Sequence, residues 1–142
     1  MAAAVSECAA LLRQAGCEVI ERDAPFDLAL VRRVWATLTS AGAARAAEIH
    51  PDRWRNEASA AIVAASKRGL QLSAVDYVKA LDGVAAIRAG VADAWGDMDV
   101  LLCPSAASLA WPLQDEYPAM IGRRAGHPMA QNIFATWVNA VG

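Results

Sequence analysis

Acidic and histidine side chains near the middle of the chain are candidates for metal binding or proton transfer. Glu48, His50 and Asp52 lie at alternating positions, and these side-chain types bind metal ions and move protons. A metal site needs three or four ligands that converge in space. We instead interpret His50 as the end of one helix, where it favours the helix dipole, and Asp52 as the cap of the next. The sequence therefore predicts no metal site.

The C-terminal third contains serines, a histidine and paired carboxylates that could hydrolyse a substrate. Ser105 and Ser108 are candidate nucleophiles, but neither lies in the Gly-x-Ser-x-Gly turn that exposes a catalytic serine. His127 is a lone loop histidine, which is more often solvated than a general base. The acidic pairs, Asp97 with Asp99 and Asp115 with Glu116, are better explained as solvated loop and strand-edge residues. We predict no catalytic residue in this chain.

Composition excludes two classes of partner. The 142 residues include 13 Lys and Arg against 15 Asp and Glu, a net charge of -2, without the basic stripe of a nucleic-acid binder. No apolar stretch approaches the roughly 20 residues of a membrane span, and no basic segment precedes an apolar run as in a signal peptide. We expect no nucleic-acid partner and no membrane partner.

The three cysteines indicate a reducing compartment. Cys8, Cys17 and Cys103 show no C-x-x-C spacing, and one of them stays unpaired in any disulfide scheme. Reduced thiols are typical of cytoplasmic proteins. We therefore expect a cytoplasmic protein.

Hydrophobic periodicity predicts four helices before residue 97. The first has apolar residues at helical spacing and ends near Gly16, which can adopt a left-handed conformation. The second covers residues 26–49, and the third covers residues 52–69. The capping box at 73–76 begins the fourth, whose apolar face comprises Tyr77, Leu81, Val84, Ile87, Val91 and Trp95.

Two short apolar runs predict strands at Cys17–Arg22 and at Asp99–Pro104. A buried strand needs neighbours on both edges and cover on both faces. Residues 105–128 contain several prolines and glycines and predict a long loop, and residues 129–138 predict a short helix. The expected fold class is thus α/β, helix-rich and with few strands of its own.

Four stretches resemble, in the same order, the C-terminal half of the amidase signature family. Leu11–Val19 is similar to the family's helix-to-strand step, and Arg68–Tyr77 is similar to its R-G…S-A-x-D-Y segment. Asp97–Ser105 resembles its D-V-L-L-x-P strand, and Asn139–Gly142 resembles its N-x-x-G sequence. The resemblance implies that residues 1–142 are a partial amidase-signature domain of an α/β/α fold. Helices and two strands fill 1–104, and a loop and short helix fill 105–142.

The resemblance also implies a reaction that this chain cannot complete alone. Family members hydrolyse carboxylic amides through an acyl-serine intermediate. They use a serine in a Gly/Ser-rich loop, a second serine in a cis peptide that relays the proton, and a lysine as base. This chain has no Gly-Gly or Ser-Ser dipeptide, and its lysines are Lys67 and Lys79, which we expect on the surface. We therefore expect an inactive fragment without metal or organic cofactor. Its partner would be the remainder of the amidase fold or a second copy, and the complete enzyme would act on a small-molecule amide.

The same resemblance implies where the fragment contacts substrate. The expected contact residues are Pro104, Ser105, Trp111, Trp137 and Asn139. An alternative from another class is a self-contained helical interaction module, whose long fourth helix docks into the groove of a partner.

Overall fold

Six helices and one two-stranded hairpin form the part of the chain that the computed structural model describes, residues 2–127, 130 and 132–141. The helices are α1 (Ala2–Gln14), α2 (Leu28–Ile49), α3 (Pro51–Glu57), α4 (Ala60–Gly69), α5 (Ala74–Trp95) and α6 (Ile133–Val141). The strands are β1 (Met120–Ile121) and β2 (Arg124–Ala125). The chain is therefore helix-rich, as the sequence predicts.

The first two helices end at the predicted signals, whereas α2 begins at Leu28, two residues after its predicted start. Gly16 follows α1 with a φ of 92°, the left-handed conformation expected of a C′ glycine. Asp27 caps α2, because its carboxylate accepts the backbone N–H groups of Ala29 and Leu30 at 2.8 and 3.2 Å. The helix ends at His50, whose N–H donates to the carbonyl of Ala46.

The predicted third helix, residues 52–69, is wrong as a single element. The chain leaves helical geometry at Ala58, where ψ is 134°, and α4 begins after a new cap at Ser59. The Ser59 hydroxyl accepts the N–H of Ile62 at 3.4 Å. A serine that bonds to the backbone in this way competes with a continuous helix, so α3 and α4 are separate.

The capping box of α5 is confirmed. The Ser73 hydroxyl accepts the N–H of Asp76 at 3.1 Å, and the Asp76 carboxylate accepts the N–H of Ser73 at 3.0 Å. The hydrogen bonds from Ser73 hold the pKa of Asp76 below its usual value, because they stabilise the charged carboxylate. The helix ends at Gly96, which has a φ of 55°.

Both predicted strands are wrong. Residues 17–22 and 99–104 are irregular, because a strand exists only where a neighbour supplies its ladder of hydrogen bonds. The described residues offer neither segment such a neighbour. The hairpin of β1 and β2 lies instead inside the predicted loop, with Met120 opposite Ala125, and Gly122 makes its turn with a φ of 60°.

The core lies between α2, α5 and α6. Its buried apolar residues are Val31, Val34, Ile87, Val91, Trp137 and Ala140. The indole of Trp137 stacks on Phe26 with ring centroids 5.0 Å apart. The predicted apolar face of α5 is buried only in part, since Ile87 and Val91 are buried while Tyr77 and Leu81 are exposed.

Small residues bring α4 and α5 close to α2. Gly69 at the end of α4 lies against the Ser40 carbonyl and Ala44 of α2, and a Cβ added there would overlap that carbonyl oxygen. Gly83 of α5 lies in the same way against Val34. Side chains larger than hydrogen at these two positions would push the helices apart.

The chain leaves more surface in water than a folded protein of its mass usually does. Its accessible surface is 10070 Å², whereas a folded monomer of 15.0 kDa exposes about 7,000 Å². Helix α1 contributes to this surplus because it has no buried residue. Much apolar surface therefore lacks a cover from the described residues.

Candidate functional site

An open depression in the loop after residue 104 is the best candidate site. It has a volume of about 530 Å³, within the range of small-molecule sites. Residues 107–112, Asp115 and residues 118–122 line it. Its wall is mostly apolar and includes Trp111 and Asp115, and the depression is open to solvent.

Hydrogen bonds within the loop hold the wall of this depression in place. The Trp111 indole N–H donates to the carbonyl of Asp115 at 3.0 Å, and the Asp115 N–H donates to the carbonyl of Pro112 at 3.0 Å. The Gly126 N–H donates to the carbonyl of Ala119 at 2.9 Å. The indole is therefore fixed by its own segment of chain.

Ser108 of the same wall has a hydroxyl oxygen that is buried and has no hydrogen-bond partner. A buried polar group left without a partner loses its bonds to water and gains nothing in return. The hydroxyl is closed off from solvent although Ser108 lines the depression.

We expect Ser108→Ala to raise the free energy of unfolding by about 1–3 kcal/mol, because it removes the desolvated hydroxyl. Urea denaturation followed by circular dichroism measures the difference. Ser105→Ala, at an exposed position, is the control and should change stability by less than about 0.5 kcal/mol. A clear loss of stability in Ser108→Ala would mean that the hydroxyl has a partner.

The structure brings Trp111, but not the other four predicted contact residues, into the depression. Pro104 is half-buried and Ser105 is exposed, and both precede the lining residues. Trp137 is only 5% exposed and belongs to the core, while Asn139 is exposed on α6. Substrate contact by Pro104, Ser105, Trp137 and Asn139 therefore stays a prediction.

A second depression, which the sequence did not suggest, has a volume of about 240 Å³. It is lined by residues 22–25, by Ala94 near the end of α5, and by Met98 and Leu101. No motif in the sequence pointed to this depression, which brings together residues distant along the chain. The depression lies beside a segment predicted as a strand.

The groups that could do chemistry are dispersed. Within residues 2–127, 130 and 132–141, no three His, Cys, Asp or Glu side chains converge on a point that could hold a metal ion. His50 ends α2 as interpreted. The predicted Asp52 cap is wrong, because His50 is the N-cap of α3 and no side chain caps that helix; Asp52 lies two residues further on and pairs with Arg55 at 2.7 Å. Lys67 and Lys79 are exposed, as expected.

No family profile, curated protein or solved structure matches the chain. Among the described residues, no helix has the length and apolar character that crossing a bilayer requires.

Proposed function

We propose that this chain is the C-terminal flank of an amidase-signature hydrolase and has no activity alone. Three of the four stretches that resemble the family fall at element junctions. Leu11–Val19 spans the end of α1, Arg68–Tyr77 joins α4 to α5, and Asp97–Ser105 follows α5. Two of them, Leu11–Val19 and Asp97–Ser105, lead into irregular chain where the family has strands, and on this proposal the remainder of the fold would supply their pairing partners.

The exposed apolar surface is the observation that best supports the proposal. Large apolar side chains are at least two-fifths exposed on α1, on α5 and after residue 99, among them Leu11, Val78, Leu81, Val100 and Leu109. A complete α/β fold covers both faces of its sheet with helices. In the complete enzyme, the flank would bury this surface against the remainder of the fold.

In the complete enzyme, this flank would contribute scaffold and part of the substrate pocket. The serine nucleophile and the lysine base would come from the remainder, because an unassisted hydroxyl is a poor nucleophile. The depression beside Trp111 would hold the apolar acyl part of a small-molecule amide. The three free cysteines support a cytoplasmic location.

The test compares the chain alone with the chain extended by the segment that the DNA directly upstream encodes. We expect that segment to encode a Gly/Ser-rich loop with a serine and an earlier lysine. The extended protein should hydrolyse aryl or aliphatic amides, its loop serine→Ala variant should lose about 10³-fold or more in rate, and residues 1–142 alone should match background. An unrelated upstream gene would contradict the proposal, as would turnover by the chain alone that disappears in Ser105→Ala.

A helical interaction module is the alternative, and one observation favours it. Besides its core face, α5 has a second apolar stripe at helical spacing, which is exposed along its length: Val78, Leu81, Ala85, Ala89 and Ala92. A helix that is apolar on opposite sides is usually packed on both. Discovery of amide hydrolysis in the extended protein would decide against this alternative.

A further inference from the structure

Helix α1 and the chain that follows it add little to the packed part of the protein. No residue from Ala2 to Ala24 is fully buried, and the helices that pack on one another are α2, α3, α4, α5 and α6. The first side chain along the sequence to reach the core is that of Phe26, which stacks on Trp137. Packing therefore begins at Phe26.

The backbone of residues 18–25 is largely exposed and almost without hydrogen bonds. In the described structure, its N–H and C=O groups bond to no other backbone group. The Val19 carbonyl accepts a bond from the Arg13 guanidinium at 3.3 Å. Because Arg13 belongs to α1, this bond does not join the segment to the core. Exposed chain of this kind is where endoproteases cut most readily.

The loop that contains the exposed Glu116 is a second candidate for cleavage, but hydrogen bonds hold it closed. The Asp115 N–H donates to the Pro112 carbonyl at 3.0 Å, and the Trp111 indole donates to the Asp115 carbonyl at 3.0 Å. Pro118, two residues beyond Glu116, is buried. A protease can extend this loop only after these contacts break.

We infer that the peptide bonds after Glu18 and Glu21 are the primary proteolytic site of this chain. Cleavage there removes the arm, residues 1–21, from the body, residues 22–142, and leaves the body folded. In the cut after Glu21, water adds across the peptide bond: the C–N bond breaks, Glu21 gains a carboxylate and Arg22 gains an amino group. Because no described residue of the arm is fully buried, its removal takes little apolar contact from the body.

This inference concerns the chain without the remainder of the proposed hydrolase, and it needs no catalytic activity. Resistance of the chain to cleavage would leave the proposed function untouched. An unrelated gene upstream would likewise leave the cleavage site in place. The two proposals can therefore fail separately.

The test treats the full chain with a glutamyl endopeptidase, which cuts after glutamate, and follows the products by mass spectrometry. Outside the arm the glutamates are Glu48 in α2, Glu57 in α3 and Glu116. Rates are taken relative to those of the urea-unfolded chain, which removes the sequence preference of the enzyme. Products that begin at Val19 or Arg22 should form at least about 10-fold faster than products of the other three cuts. The purified body should unfold at the same urea midpoint as the uncut chain.

The double variant Glu18→Gln, Glu21→Gln should slow the separation of arm from body about 10-fold or more. The matched control is Glu116→Gln, which changes another exposed glutamate and should leave that rate unchanged. A cut at Glu48, Glu57 or Glu116 as fast as those at the arm overturns the inference, as does resistance at both arm sites. A body that unfolds at a lower urea midpoint than the uncut chain also overturns it, since the arm would then support the fold.

Discussion

Trp137→Ala is expected to lower the free energy of unfolding by about 3–5 kcal/mol. The indole is 5% exposed, stacks on Phe26 with ring planes 19° apart and joins α6 to α2 and α5 through the core cluster. Its removal costs the transfer free energy of a large aromatic group and leaves a cavity. Chemical denaturation monitored by circular dichroism measures the loss.

Trp111→Ala is the matched control for this prediction, because it removes the same side chain from a half-buried position in the loop. We expect its effect on unfolding to be less than half as large. If the two variants lost the same free energy of unfolding, the stacking of Trp137 on Phe26 would not be what holds α6 against the core. A loss below about 1 kcal/mol for Trp137→Ala would contradict the core described above.

Gly69→Ala should destabilise the protein by about 1–3 kcal/mol. The added methyl group would overlap the backbone carbonyl of Ser40 and approach the Ala44 Cβ at 2.9 Å. Backbone atoms cannot rotate away as a flexible side chain can, so α4 would have to shift along its whole contact with α2. Thermal denaturation at fixed protein concentration measures the change.

The control for Gly69→Ala is the same substitution at Gly42, within α2. A Cβ at Gly42 meets no atom within 4 Å, and alanine is favoured over glycine inside a helix by up to about 1 kcal/mol. Gly42→Ala should therefore stabilise the protein while Gly69→Ala destabilises it. A Gly69→Ala variant at least as stable as the wild type would mean that α2 and α4 are not in close contact.

Local signals in the sequence predicted the helix ends, because caps act over a few residues. The Ser73–Asp76 box, Gly16 and the His50–Pro51 boundary all lie where the sequence placed them. The break between α3 and α4 was missed because a single serine cap, Ser59, was outweighed by the apolar spacing around it.

Pairing and packing over long distances could not be predicted in this way. The apolar run at residues 99–104 has strand-like alternation, but a ladder depends on a neighbour that local composition does not reveal. For the same reason, the sequence did not reveal that Trp137 packs in the core between α2, α5 and α6. The Trp111 indole, by contrast, is held by a local hydrogen bond to the carbonyl of Asp115.

The close contact of α2 with α4 has a consequence for the order of folding. These helices are separated by the short α3 alone, so their contact at Gly69 closes a small loop of chain and loses little entropy. We expect this helical pair to form while α5 and α6 are still being synthesised on the ribosome. Val31 and Val34, which are buried in the folded protein, would stay exposed until α5 and α6 cover them. During that interval the nascent chain would be a candidate for chaperone binding.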